Sequence, residues 1–299
     1  MKLMANTNSY AKRQLLRSML LCVVALLMHC IDSIAADDSN TVLHYEVAVE
    51  RVDDRVRVDD AGLDSLVRSL ENRLGGLGRV RRFGKNRVEI HVQGEPTQAK
   101  LDSINRRVLT VGLVEFRYVA NSRIASDRSA IEQAQKLPQK TSLLRIGLLE
   151  VAEWAYFPEK DFAPDYATDY HFVIRKNAER GEVLKLMDSL SLTGDYLADA
   201  NHQVANNSSA LEFTFNERGS LILGELTSRA YTAGGNGNTR FLALFIDNRL
   251  IGGLPIRDCL REKVVISGPS KQEIEDILSI LYEGILPFPL RSAPSPGEE

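Results

Sequence analysis

The order of hydrophobic patterns over residues 43–119 constrains the fold of this chain more than any other feature. Alternating apolar residues predict half-buried strands, whereas apolar residues spaced by three and four predict amphipathic helices. In chain order these patterns predict a strand over 43–52, a helix over 63–74, a hairpin over 80–92, a second helix over 96–107 and a strand over 113–119. This β-α-β-β-α-β order is the split-βαβ pattern. The sequence therefore predicts an α+β protein with a ferredoxin-like base over 43–119.

A second α+β unit, the head, is predicted over residues 192–290. Its patterns indicate a strand at 211–215, a helix over 220–231, two strands joined by a tight turn at Asp247-Asn248, and a final helix that begins with a capping box at Ser270. Residues 120–191 are assigned to a connecting region, with one helix near 127–136 and a short helix over 181–190. Closely spaced prolines near the C-terminus predict a disordered tail over 291–299.

Residues 1–36 have the order of a secretory signal. Four basic residues precede the apolar run Met19–Met28, and the segment 33–36 (SIAA) then offers small residues at the −3 and −1 positions of a cleavage site. Ten apolar residues extend about 15 Å as a helix, well short of a bilayer core of about 30 Å. A cleaved signal peptide and an uncleaved signal anchor both remain open. In either case, we expect the protein to be exported and to be periplasmic or anchored to the outer side of the inner membrane.

The motifs that carry most enzyme chemistry are missing from this chain. The glycine-rich segment 234–239 lacks the lysine of a phosphate-binding loop, and no Gly-x-Ser-x-Gly motif occurs. The histidines are scattered without metal-ligand spacing. We therefore predict no catalytic residues, no metal, no cofactor and no enzymatic activity. Cys259 is interpreted as a core residue, and charged helix residues such as Glu71 and Arg73 are interpreted as solvated.

One basic cluster stands out against a nearly balanced net charge of −3. It comprises Arg79, Arg81 and Arg82, with Lys85 and Arg87 close by. Binding of nucleic acid would favour interleaved aromatic residues, and Phe83 is the sole candidate. The alternation indicates the outer face of a hairpin instead. We therefore predict no nucleic-acid partner.

Several short segments occur in an order that resembles a known family. They are Asn72–Gly78 (NRLGGLG), Phe83–Ile90 (FGKNRVEI), Leu113–Arg117 (LVEFR), Leu192–Leu197 (LTGDYL), Phe213–Gly219 (FTFNERG), Gly224–Ser228 (GELTS), Leu242–Arg249 (LALFIDNR), Val265–Gly268 (VISG) and Leu281–Leu290 (LYEGILPFPL). Together they resemble the first periplasmic domain of SecD, part of the SecDF protein-export component. The resemblance implies a ferredoxin-like base and a head that contacts emerging polypeptide outside the membrane. The family's later transmembrane helices, which carry proton-coupled movement, have no counterpart here.

The leading hypothesis is an exported, non-catalytic accessory to Sec-dependent protein translocation or extracytoplasmic folding that binds polypeptide. Its expected partners are unfolded or emerging chains and the Sec translocon, with membrane contact only through an uncleaved N-terminal anchor. Leu250, Ile251, Leu254 and Ile256 are candidates for polypeptide contact, and packing in the head's own core is the alternative for them. The alternative function is a SecD-like scaffold or interaction module reused in an unrelated exported assembly, because fold alone does not determine function.

Overall fold

A computed structural model of the chain describes residues 40–48, 58–158, 166–177, 180–205, 208–233 and 239–295. The predicted signal or anchor over 1–36 lies outside these residues, as do the glycine-rich residues 234–238 and the last four residues of the predicted tail. Within the described ranges, no helix is long and apolar enough to span a membrane.

The described residues form fifteen strands and six α-helices. The strands are β1 Thr41–Val47, β2 Arg79–Phe83, β3 Arg87–Val92, β4 Val114–Val119, β5 Leu143–Ile146, β6 Leu149–Phe157, β7 Ile174–Asn177, β8 Arg180–Leu186, β9 Leu192–Thr193, β10 Leu197–Ala205, β11 Ser208–Phe215, β12 Phe241–Ile246, β13 Arg249–Pro255, β14 Lys263–Ser267 and β15 Leu290–Ser292. The helices are α1 Asp60–Leu74, α2 Gln98–Leu109, α3 Arg128–Ala134, α4 Tyr166–Asp169, α5 Glu217–Ala233 and α6 Lys271–Glu283. The α+β class is therefore confirmed.

The base sheet has four antiparallel strands in the order β15-β1-β3-β2, and α1 and α2 share its core. Helix α1 begins after Asp59, whose side chain accepts a hydrogen bond from the Gly62 amide, and it ends at Gly75 in a left-handed conformation. The leucines used to predict this helix pack against buried residues of β1 and β3, among them Tyr45, Val88 and Ile90.

The edge strand of the base sheet does not come from the predicted segment. The prediction that residues 113–119 return to this sheet is wrong, because β4 pairs with β12, β8 and β9 in the other sheet. Its Phe116 is fully buried and its ring lies edge-on to those of Phe213 and Phe215, each with a centroid separation of 5.2 Å. The vacant edge beside β1 is taken by β15, which follows the head in the chain. Arg291 and Ser292, predicted to be part of a disordered tail, are therefore strand residues.

The head sheet contains eleven strands along the path β10-β11-β14-β13-β12-β4-β8-β6-β5, with β7 and β9 paired beside it. A parallel contact between β6 and β13 joins Tyr156 to Arg249, so that β13, β12, β4, β8 and β6 close into a small barrel. Its apolar residues include Val119, Phe241 and Phe245. The barrel brings strands from residues 120–191 into the same sheet as the predicted head.

The helix predicted over 181–190 is wrong, because β8 occupies most of this segment. Val183, Leu184 and Lys185 are consecutive and all buried, so both faces of the strand are covered. A strand covered on both faces loses the alternation that identifies a half-exposed strand, and its sequence then resembles that of a buried helix.

Helix α6 connects the two units. The side chains of Ile274 and Ile277 lie in the core of the head, whereas other residues of the helix contact α1 and α2 of the base. The capping box predicted at Ser270 is present, with Glu273 completing it. Helix α6 thus has a capped N-terminus, packs in the head through one set of residues and packs against the base through another.

Candidate functional site

Two chain segments cross between the base and the head. The first crossing, residues 110–113, joins α2 to β4, and the second crossing, residues 284–289, joins α6 to β15. They are hydrogen-bonded to each other, since the Leu286 amide donates to the Val111 carbonyl at 2.9 Å. The contacts that fix the positions of these two crossings therefore also determine the geometry of any site between the base and the head.

Arg73 of α1 holds both crossings. Its side chain is fully buried, and its guanidinium donates to the carbonyls of Thr110, Val111 and Gly284, with the contact to Val111 at 2.8 Å. It also reaches the carbonyl of Arg107 at 3.2 Å. The interpretation of Arg73 as a solvated residue is wrong, because it lies seven residues after Leu66 and so shares the buried face of α1.

Asp247 holds the first crossing from the opposite side. Its carboxylate accepts hydrogen bonds from three consecutive amides, those of Val111 at 2.5 Å, Gly112 at 3.0 Å and Leu113 at 2.8 Å. Asp247 and Asn248 have φ values of 48° and 59°, so the predicted tight turn between β12 and β13 has the left-handed conformation of a type I′ turn. The turn aims the carboxylate at the crossing.

A third contact joins α6 to α2. Asp276 of α6 is fully buried, and its carboxylate accepts from Ser103 at 2.5 Å, Arg106 at 2.8 Å and Arg107 at 2.8 Å. A buried carboxylate is tolerable when several donors surround it. The orientation of the head on the base is therefore fixed by buried charged groups as well as by apolar packing.

Beside the crossings lies an open cleft of about 1080 Å³, here called the junction cleft. Its lining combines apolar and acidic residues. The apolar set is Leu109, Val111, Leu113, Val114, Leu197, Leu281 and Ile285, and the charged set is Glu115, Glu153, Asp195, Asp199, Asp247 and Lys185. Three of the apolar side chains at this site are unusually exposed, since Leu113 is 52%, Ile285 is 55% and the rim residue Tyr282 is 64% accessible.

Lys185 lies buried at the floor of the junction cleft. Its ammonium contacts Glu115 at 2.7 Å and Glu153 at 2.9 Å, and Arg117 contacts Glu115 at 3.1 Å. Burial opposes ionisation of Glu115, but hydrogen bonds and charge attraction from Lys185 and Arg117 outweigh it and lower the pKa of Glu115. At the floor of the cleft, the negative charges of the two glutamates are thus balanced by the positive charges of Lys185 and Arg117.

We expect the Glu115 cluster to make stability dependent on acid pH. A carboxylate whose pKa is lowered by folding stabilises the protein above its unfolded pKa of about 4.3, and this stabilisation is lost as pH falls toward the folded pKa. Urea unfolding of the parent protein should therefore show a steeper loss of stability below about pH 5 than Glu115→Gln, which should already be about 1–2 kcal/mol less stable at pH 7. Parallel pH profiles for the two proteins would contradict this assignment.

The four predicted polypeptide-contact residues divide into two pairs. Leu250 and Ile256 are buried in the core, whereas Ile251 and Leu254 are half-buried and pack against it. Ile251 also lines a smaller cavity of about 220 Å³ between β13, α2 and α6. The structure thus does not place these residues in the junction cleft, and polypeptide contact through Ile251 and Leu254 stays a prediction.

Other candidate residues are also accounted for. Cys259, predicted to pack in a core, is exposed in the loop after β13, where its sulfur lies 3.5 Å from the Gly224 carbonyl. It misses the core because β13 ends at Pro255, ahead of the cysteine. His44 and His91 face Glu89 on the base sheet. Among the described residues, no group of three or more histidine, cysteine or acidic side chains could hold a metal ion.

The fold and the junction define a class of protein: an α+β chain of two subdomains, joined by two crossings with an open cleft between them. Residues 171–288 match the sequence family described as SecDF, P1 head subdomain. This match includes β7 and β8 and so begins before the predicted head. The predicted resemblance to the first periplasmic domain of SecD, called the P1 domain, is thereby confirmed.

Two solved structures are similar to this chain. A structure of a membrane component SecDF that enhances protein export aligns with a TM-score of 0.50 at 21% identity, over 85% of this chain and 98% of that chain. A crystal structure of SecDF in a super-membrane-facing form aligns with the same TM-score and identity, over 95% of this chain and 35% of that one. The chain thus spans about a third of the longer protein. No curated protein matches it.

Proposed function

We propose that this chain is an exported, non-catalytic P1 domain that assists protein translocation or extracytoplasmic folding by binding polypeptide in the junction cleft. Support comes first from the family match, because SecDF is a protein-export component. The single observation that carries the binding role is the junction cleft itself, which is large, open and lined by exposed apolar side chains.

The dimensions of the junction cleft favour a chain segment over a small molecule. Sites for small ligands commonly have volumes of about 300–1000 Å³ and enclose most of the ligand. At about 1080 Å³, this cleft lies just above that range, and it is open to solvent. An extended segment can enter such a cleft from the side and leave again, as transient binding during export requires.

The same features disfavour catalysis as the role of the cleft. Its buried lysine is already paired with two carboxylates, and Asp247 is occupied by three backbone amides. None of these groups is placed as a nucleophile beside a free base, which the common covalent and acid–base mechanisms need. The expected partners are therefore emerging or unfolded polypeptide and the Sec translocon.

Site-specific photocrosslinking tests this proposal. A photoreactive residue is placed at Leu113 or Ile285 in the cleft, and as a control at Leu221 of α5, which is 71% accessible and outside the cleft. During synthesis of an exported reporter, we expect the two cleft positions to capture the reporter at least several-fold more often than Leu221 does.

Two outcomes would contradict the proposal. Equal capture at all three positions would show that the reporter does not enter the cleft. Capture of one stable folded protein in place of exported chains would favour the alternative, an interaction module in another exported assembly.

A further inference from the structure

We infer that the junction cleft selects polypeptide segments that combine positive charge with apolar side chains. This inference rests on the proposed function, because it specifies which class of polypeptide the cleft would take. It is carried by the distribution of free charge and exposed apolar surface around the cleft.

The lining of the junction cleft is strongly acidic. Five carboxylates line it against one lysine, and the three compensated carboxylates are half-buried whereas the other two are exposed. Glu115 and Glu153 are paired with Lys185, and Asp247 is occupied by backbone amides. The negative charge that remains for a ligand is therefore concentrated elsewhere in the lining.

Asp195 and Asp199 supply that remaining charge. Both are exposed; Asp195 lies between β9 and β10, and Asp199 lies near the start of β10. Within the described part of the chain, their carboxylate oxygens accept hydrogen bonds from neighbouring neutral groups: the Thr193 hydroxyl for Asp195, and the Ala200 amide and the Asn201 side chain for Asp199. Neither forms a salt bridge with a described residue.

The apolar lining lies in the same cleft as these two carboxylates. Leu113, Tyr282 and Ile285 expose more than half of their surface there. Lysine and arginine side chains satisfy both features, since their methylene stems cover apolar surface while their charged ends reach carboxylates. Neighbouring leucine or valine side chains of the same segment would cover the rest.

Ligands of other chemistry fit the cleft less well. An acidic segment or a phosphate would be repelled by Asp195 and Asp199. A neutral apolar segment would remove hydrating water from these carboxylates without offering them a hydrogen-bond donor or a positive charge, which costs free energy. A basic stretch followed by an apolar run satisfies both parts of the lining. Residues 12–28 of this chain, KRQLLRSMLLCVVALLM, have that composition and serve as a probe.

Peptide binding to the purified full chain tests the inference. Three fluorescent peptides are compared by anisotropy: residues 12–28, the same peptide with its three basic residues changed to glutamate, and one with its apolar run changed to serine. We expect the first to bind at least about tenfold more tightly than either of the others, and its affinity to fall as salt screens the carboxylates.

Variants locate the effect in the cleft. Asp195→Asn/Asp199→Asn should weaken binding of the basic apolar peptide about three- to tenfold and flatten its salt dependence. Glu95→Gln/Glu132→Gln removes the same charge from exposed positions outside the cleft and should leave binding unchanged. Circular dichroism verifies that each variant is folded.

The outcomes separate the inference from the proposed function. If the basic and acidic peptides bind equally and the double aspartate variant has no effect, charge selection is overturned while polypeptide binding stands. If none of the peptides binds although the photocrosslinks from the cleft are obtained, the inferred ligand class is wrong. If both peptide binding and crosslinking fail, the proposed function fails with it.

Discussion

Replacing Arg73 by methionine is expected to lower the free energy of unfolding by about 3–5 kcal/mol. Methionine fills much of the same volume but donates no hydrogen bond, so the carbonyls of Thr110 and Gly284 would lose this donor inside the protein, and the Val111 carbonyl would keep only the Leu286 amide. Each buried carbonyl left without a partner costs about 1–3 kcal/mol. Because these carbonyls belong to both crossings, the loss should loosen the attachment of the head as well as the base.

The charge of Arg73 is itself costly to bury. Burial lowers its pKa to about 10, with Asp247 and Glu283 acting in the opposite direction. Arg73→Lys keeps the charge but has a single ammonium, which cannot reach carbonyls on two separate segments in the fixed geometry of a guanidinium. We therefore expect the lysine variant to recover only part of the stability lost in the methionine variant.

Urea unfolding and amide hydrogen exchange at residues 110–113 measure the effect of Arg73. Arg68→Met is the matched control, since Arg68 lies on the same helix with an exposed side chain. Its change in stability should stay within about 0.5 kcal/mol. If Arg73→Met proved as stable as Arg68→Met, the guanidinium would not be what joins the two units.

Much of the base could be predicted from local patterns. The helix α1 and the hairpin of β2 and β3 follow from leucine spacing and from the turn residues between the strands, and each depends on neighbours close in sequence. The edge strand β15 could not be predicted in this way. Its three residues are too few to show an alternation, and its partner β1 is more than 240 residues away.

The head was harder to predict, for a different physical reason. Strands β4 and β12 are buried at nearly every side chain, and β8 contains three consecutive buried residues, so burial no longer alternates along them. Lys185 is an extreme case, a charged residue in the buried run of β8. Only its pairing with Glu115 and Glu153 on two other strands makes that position acceptable, and no local pattern reports such pairing.

The candidate site depends on contacts that are distant in sequence. Asp247 was predicted as a turn residue, and its turn conformation is confirmed, but its hydrogen bonds reach residues 111–113 on another strand connection. The burial of Arg73 does leave a local signal, because it continues the spacing of Leu66 and Leu70 along α1. Charge at such a position can indicate a buried polar contact rather than a solvated face.

Asp247→Asn is expected to destabilise the protein by about 2 kcal/mol while leaving the turn intact. Asparagine adopts the left-handed backbone of this position at least as readily as aspartate. It keeps one acceptor oxygen but loses the second one and the negative charge, so the three amides of Val111, Gly112 and Leu113 can no longer all be satisfied. Hydrogen exchange should therefore rise first at these three amides.

Asp258→Asn is the control for this substitution, because Asp258 lies in an exposed loop and, among the described residues, its carboxylate accepts a hydrogen bond from the adjacent Cys259 amide alone. A loss of stability confined to Asp247→Asn would assign the effect to the first crossing.

Arg73 and Asp247 hold the same crossing, Arg73 by its carbonyls and Asp247 by its amides, so the effects of the two substitutions on stability should not add. Once Arg73→Met has loosened residues 110–113, Asp247→Asn should cost at least about 0.5 kcal/mol less than it does alone. Strict additivity would mean that the two residues act on separate structures, and the crossing would then not be the element that sets the head on the base.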